Sequence, residues 1–308
     1  ILDYHAITIP YDPKELPNRV LDAVSTYIAC GIDPEKSTVM LQSLVPEHTE
    51  LAWILNTITP LPWLLRVPTF KEKIRQIREK MKENEEAVDE EYSGVSTALM
   101  DYPALMAADI ILYKAKRVPV GEDQLPHLEL TREIVRKFNN TFGEVFPEPQ
   151  AIVGRGKRII GLDGENKMSK SLGNCIYLSD SKEAIQKKLA TAKTDTRRMR
   201  RTDPGVPEDC NLFSYHKIYS TEEEISYVAE GCRTAGIGCL ECKRILAENI
   251  DKHLAPIREK KAELLNKPEI VKEILIEGSK SARKIALETM REVREVMGLT
   301  FVDFTTTR

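Results

Sequence analysis

"NKMSKSLGN", residues 166–174, packs two lysines and two serines into five consecutive positions and sets them between Gly164 and Gly173. Lysines that only solubilise a surface need no such punctuation. Paired ammonium groups, the Ser169 hydroxyl and the amides of a glycine-flanked loop suit an anion, above all a polyphosphate. A polar surface loop is the ordinary fate of a Lys/Ser pentamer. Yet the string Lys-Met-Ser-Lys-Ser arises by chance in a chain of this length only about once in ten thousand sequences.

Upstream of this loop, β-branched runs alternate with amphipathic helices. "LDYHAITI" (2–9) reads as a strand followed by a helix from Pro13 to Cys30, and "STVMLQS" (37–43) as a strand before a helix from Pro46 to about Asn56. "KRVPVG" (116–121) is a further short strand, with a helix opening near Leu125. That βαβα order predicts an α/β fold, a parallel sheet flanked by helices. The charged stretch from Lys71 to Glu91 reads as a solvated surface element without chemistry. From Ser181 on, nearly everything is helical, with Asp180-x-x-Glu183 and Ser220-x-x-Glu223 as capping boxes. The last helix is expected from Pro268 to Met297, broken near Gly278. The expected boundary therefore separates an α/β part, residues 1–178, from an all-helical part, residues 179–308.

The chain of 308 residues is long enough for two cores, and 42 % hydrophobic with 30 % charged residues describes an ordinary globular composition. No run approaches the 18 or so apolar residues that a membrane helix needs. A net charge of −3 excludes a generically basic nucleic-acid coat, so RNA binding must come from local patches such as "KTDTRRMRR" (193–201). Four of the six cysteines bunch toward the C-terminus, unlike a disulfide framework, which points to a reducing compartment.

The loop resembles the signature of the class I aminoacyl-tRNA synthetases, which binds ATP phosphates during amino-acid activation. In "MDYPALMAADIILY" (100–113), Tyr102, Met106 and Asp109 fall on one helix face, with Asp109 embedded among apolar residues where a lone carboxylate needs a donor. This segment is similar to the side-chain pocket helix of the tryptophanyl and tyrosyl members. Tyrosyl enzymes generally carry Gln at the Met106 position; Met106 offers a polarizable surface to an indole, with Asp109 accepting its N–H. "RVPVGEDQ" (117–124) and "DYHAIT" (3–8) match the tryptophanyl-tRNA synthetase family more closely.

The resemblance implies a Rossmann-type domain that binds ATP and tryptophan, and a helical domain that reads the tRNA anticodon. Lys167 and Lys170 would act on the transition state, with Mg²⁺ bridging the phosphates. Gly121, Asp123, Ile159, Met168 and Ser169 would complete the ATP contacts. His5, Tyr102, Met106, Asp109, Val118, Val120 and Gln124 would hold tryptophan, while His48, His127, His216 and His253 are read as structural. The partners implied are tryptophan, its tRNA and a second copy of the chain, with neither a membrane nor DNA. The family's first strand–loop–helix, with its His-Ile-Gly-His-like phosphate motif, is expected ahead of Ile1, where the sequence opens on a strand already under way. "GRGK" (154–157) is no substitute, lacking the ending of a P-loop. The rival readings are a tyrosyl-tRNA synthetase and a non-catalytic paralogue that binds RNA or amino acid.

Cys210, Cys232, Cys239 and Cys242 are spaced C-x21-C-x6-C-x2-C, a pattern that suggests a metal. Four thiolates satisfy zinc, although structural zinc sites usually pair two short knuckles and only one exists here. The spacing also resembles that of a subset of tryptophanyl-tRNA synthetases carrying a [4Fe–4S] cluster, which would staple the helical domain. Cys30 and Cys175 are expected to be buried, inert thiols.

Overall fold

The computed structural model describes residues 1–67, 74, 75, 77, 79, 95–153, 159–170 and 172–300. Most of the charged 71–91 stretch and the "GRGK" segment lie outside these residues. No helix among them is long and apolar enough to cross a membrane.

Packing divides the chain into two discontinuous units. One comprises residues 1–24, 32–154 and 267–308; the other comprises 25–31 and 155–266. This division does not follow the sequence boundary near 178, because the last helix packs within the first unit and the lysine loop within the second.

After helix α1 (Leu16–Ala29), helices α2 (Glu47–Ile58), α3 (Thr97–Ile111) and α4 (Leu125–Phe142) pack within the first unit around a core that includes Leu51, Leu55, Ile111, Ile134 and Phe138, all essentially inaccessible to solvent. Burying such side chains is the main stabilising term, at about 1.5–3 kcal/mol each. Ser96 caps α3 by accepting the Leu99 amide, as an N-cap serine should. Strands β1 (Arg117–Val120) and β2 (Gln150–Val153) pair in parallel, Arg117 opposite Gln150 and Val120 opposite Val153, with α4 as the crossover.

Two expected strands are absent among the described residues. Asp3–Ala6 is a single helical turn, and residues 37–41 are irregular before a 3-10 turn at Gln42–Leu44. Ile1 alone keeps ladder-type bonding, donating to the Met40 carbonyl at 2.6 Å and accepting the Gln42 amide at 2.9 Å. Ile7 and Ile9, read as strand residues, remain exposed, so no buried face rewards an extended chain there, and the Ser43 amide bonds to the Asp3 side chain at 3.0 Å in place of a partner strand.

The C-terminal helix α9 (Pro268–Val296) runs through Gly278 without a break. A Cβ at Gly278 would lie 2.1 Å from the Val39 carbonyl oxygen, so this glycine admits a crossing backbone. Val271, Leu275, Ala282, Ala286, Met290 and Val293 make its buried stripe, while Arg283 and Arg294 pair with Glu47 and Glu50 of α2.

The second unit is built from α5 (Lys182–Thr191), α6 (Asn211–Tyr219), α7 (Glu222–Arg233) and α8 (Cys239–Leu265), around Leu189, Leu212, Leu246 and Ile250. The caps sit one residue later than the sequence pattern suggests. Ser181 accepts the Ala184 amide, and Thr221 with Glu224 forms the reciprocal box.

Candidate functional site

In the first unit, Asp109 lies on α3 where the helix meets residues 1–48. Its Oδ2 accepts from His5 Nε2 at 2.8 Å and its Oδ1 from Gln42 Nε2 at 2.7 Å, and His48 Nδ1 also lies 2.7 Å from Oδ1. Burial raises the carboxyl's pKa, but hydrogen bonds from His48 and His5 outweigh it and hold Asp109 below the usual carboxylate range. The result is a buried, ionised acceptor. Gln42 and His48, each 0 % exposed, were not singled out by sequence pattern. The only hint was that a carboxylate in an apolar run needs donors from somewhere.

Tyr102, also on α3, is buried with its hydroxyl 2.8 Å from His127 Nε2, and its ring meets His5 edge-on at 6.3 Å between centroids. Met106 and Val118 pack against the unit's core, and Val120 is half-buried at the end of β1. Gly121 precedes the 3-10 turn Glu122–Gln124, in which Gln124 Nε2 donates to Asp123 Oδ2 at 2.8 Å. The structure thus brings His5 and Asp109 into direct contact and aligns Tyr102, Met106 and Asp109 on one helix.

The lysine loop belongs to the second unit. Ile160 and Lys167 form an antiparallel bridge, and the Met168 amide donates to the Ile159 carbonyl at 2.9 Å. Gly164 and Gly173 have φ of +74° and +64°, the left-handed conformation that glycine adopts without steric cost. Lys167 and Lys170 are exposed, and Lys170 Nζ lies 6.0 Å from the Tyr177 ring centre. Asp163 and Asn174 clamp the loop's two ends. Asn174 Oδ1 accepts the Ser169 amide at 2.8 Å, while its Nδ2 donates to Asp163 Oδ2 at 2.8 Å and to the Lys167 carbonyl at 3.2 Å. Asp163 also accepts the Glu165 and Asn166 amides at 3.1 Å, and these bonds, led by the one from Asn174, hold its carboxyl far below the usual range. Sequence pattern marked the lysines but not this clamp.

Also in the second unit, Cys210, Cys232, Cys239 and Cys242 line one cavity together with Phe213, Val228 and Arg198. Burial pushes the Cys242 thiol up to about 12, with the neighbouring Cys210, Cys239 and Cys232 adding to the shift. His216 is wholly buried, with Nε2 3.4 Å from Cys242 Sγ and Nδ1 2.8 Å from Ser220 Oγ. Among the described residues, no three His, Cys, Asp or Glu side chains converge tightly enough to hold a single metal ion. Cys175 is buried, but Cys30 is exposed, contrary to expectation. The basic patch is partly neutralised by its own surroundings. Lys193 pairs with Glu165, Arg197 with Asp195 and Asp209, and Arg198 donates to the Ile237 and Arg201 carbonyls.

Against known proteins, residues 1–255 match the family model described as tRNA synthetases class I (W and Y). A protein of Deinococcus radiodurans named tryptophan–tRNA ligase is 46 % identical over 301 residues, covering 97 % of this chain and 87 % of that one. One of Thermotoga maritima with the same name is 45 % identical over 304 residues, covering 98 % and 88 %. Among solved structures, the tryptophanyl-tRNA synthetase of Campylobacter jejuni, complexed with ADP and tryptophan, aligns with a TM-score of 0.84 at 37 % identity, covering 96 % of this chain and 88 % of that one.

Proposed function

We propose that this chain, which belongs to the class I tRNA synthetases (W and Y) and within them to the tryptophan–tRNA ligases, activates tryptophan with ATP and charges the tryptophan tRNA. A carboxylate oxygen of tryptophan attacks the α-phosphorus of ATP. The bond to the bridging oxygen breaks, giving tryptophanyl-adenylate and pyrophosphate. A hydroxyl of the tRNA's terminal ribose then takes the acyl group and releases AMP. Positioning and charge stabilisation carry most of such a reaction.

The observation that carries the specificity is the ionised Asp109 beside Met106 on α3, an acceptor for an indole N–H next to a polarizable apolar side chain. Tyr102, His5, Val118, Val120 and Gln124 complete the tryptophan site. Lys167 and Lys170, on the clamped loop with Met168 and Ser169, neutralise charge on the departing pyrophosphate, and Ile159, Gly121 and Asp123 contact ATP. Mg²⁺ supplies further charge neutralisation on the phosphates. ATP–pyrophosphate exchange with tryptophan and tyrosine compared tests the assignment; faster exchange with tyrosine refutes it and favours the tyrosyl reading. Residues 1–178 carry the chemistry, residues 179–308 read the anticodon, and the active species is a homodimer, which sedimentation at micromolar concentration checks.

The four cysteines of the second unit fit a [4Fe–4S] cluster. An all-sulfur donor set suits iron or zinc. Four thiols share one cavity and would hold the group: Cys210 just ahead of α6, Cys232 near the end of α7, and Cys239 and Cys242 at the start of α8. The bound group would tie these segments together, with no redox turnover. Anaerobically purified protein should be brown and contain iron and acid-labile sulfide; colourless protein with stoichiometric zinc overturns this.

A further inference from the structure

Asp109 comes to its site with both carboxylate oxygens already engaged. A carboxylate offers about four lone-pair positions, two on each oxygen. Oδ1 accepts from Gln42 Nε2 at 2.7 Å with His48 Nδ1 also 2.7 Å away, and Oδ2 accepts from His5 Nε2 at 2.8 Å.

The donors behind Oδ1 are themselves fixed. Gln42 Oε1 accepts the Tyr4 amide at 3.1 Å, so the amide's other end, the –NH₂, must face Asp109. His48 Nε2 lies 2.8 Å from the Tyr113 hydroxyl, which itself donates to Met40 Sδ at 3.1 Å. Exposure orders the group in depth. Gln42 and His48 are at 0 %, whereas the side chains of Asp109 and His5 retain 11 % and 17 %. A ligand therefore meets the carboxylate from the side of Oδ2 and His5.

We propose that Gln42 and His48 are positioning residues for tryptophan selection: they hold Oδ1 in place and lock the carboxylate plane, leaving Oδ2 to meet a single ring N–H. The proposal rests on the reading of Asp109 as the indole acceptor. Neither residue touches the substrate. Their contribution is to make the acceptor rigid, so that a ring without an N–H leaves a buried carboxylate oxygen unmatched.

The test compares kcat/KM in pyrophosphate exchange for tryptophan and for 3-benzothienylalanine, in which sulfur replaces the ring N–H at nearly constant shape. The wild type should prefer tryptophan strongly. In Gln42→Met and His48→Leu that preference should fall at least about tenfold, mostly through the KM for tryptophan. His48→Asn, which keeps a polar amide beside Oδ1, should recover most of it. Tyr113→Phe leaves the contacts on Asp109 in place and removes only the hydroxyl beside His48 Nε2, so it should lower the preference a few-fold. It keeps the proposal testable if a core variant does not fold. Parallel losses for both substrates would make Gln42 and His48 merely structural and overturn the proposal. A wild type indifferent to the N–H would instead overturn the Asp109 reading itself, and the proposal with it.

Discussion

Asn174→Ala should disable activation while leaving tryptophan binding intact. The side chain is 6 % exposed and makes three bonds that tie the two ends of the lysine loop together: to the Ser169 amide, to Asp163 Oδ2 and to the Lys167 carbonyl. At about 1 kcal/mol for each net hydrogen bond, and more for one to a carboxylate, the deletion removes roughly 3–4 kcal/mol of loop order. If the loop must re-form that order in the transition state, the rate of ATP–pyrophosphate exchange falls by about 10²- to 10³-fold at the upper limit, and by at least tenfold if half is recovered by relaxation. The KM for tryptophan should move by less than about threefold, because it depends on ground-state contacts elsewhere. Asn174→Asp should be worse than Ala, since it sets a carboxylate against Asp163 Oδ2. Adding Asp163→Asn to that variant restores a donor–acceptor pair between the two positions and should recover part of the activity. Exchange by Asn174→Ala within threefold of wild type would refute the reasoning, as would a double variant no better than Asn174→Asp alone.

Lys167→Ala and Lys170→Ala should lower the activation rate far more than they raise the KM for tryptophan, because their partners are charges that develop as pyrophosphate leaves; a loss confined to that KM contradicts this. The Asp195 carboxyl is held at about 2, against an ordinary 3.8, chiefly by the hydrogen bond from Arg197. A depressed carboxylate pKa stabilises the fold fully above about pH 4 and is lost as pH falls toward 2, so Asp195→Asn should flatten the acid-unfolding curve over that window in a circular-dichroism titration. An unchanged slope speaks against the ion pair. For tRNA, Arg200 and Arg201, which have no ion pair among the described residues, should carry the basic patch. Arg200→Gln with Arg201→Gln should lower the slope of log K against log salt by roughly 1.5–2, while Arg197→Gln acts on stability instead.

The helices from residue 97 onward were legible because their periodicity and caps are local, and the caps missed by one residue because Ser181 and Thr221 stand next to equally plausible neighbours. The strands at 2–9 and 37–43 were misread for a physical reason. β-Branched residues favour an extended chain only where a partner strand and a buried face reward it. Here Ile7 and Ile9 stay exposed and the Ser43 amide bonds to the Asp3 side chain, not to a partner strand, which no window of hydrophobicity registers. Gly278 failed in the opposite sense. In isolation it costs a helix about 1 kcal/mol and reads as a break. Only the Val39 carbonyl, 239 positions earlier in the chain by 278 − 39, shows that the missing side chain is what α9 needs there.

The site divides along the same line. Lys167, Lys170 and Asp109 announce themselves because each is costly or improbable where it stands: two cations in a punctuated loop, and a carboxylate inside an apolar helix. The residues that make them usable are ordinary ones. Gln42, His48 and Asn174 match no pattern, and any of them could be replaced on paper by another polar residue. What selects them is a set of contacts made by distant neighbours: Gln42 and His48 against one oxygen of Asp109, three bonds from one amide across the loop. Sequence therefore reveals where charge must be handled, whereas the direction of each hydrogen bond exists only once the chain has folded.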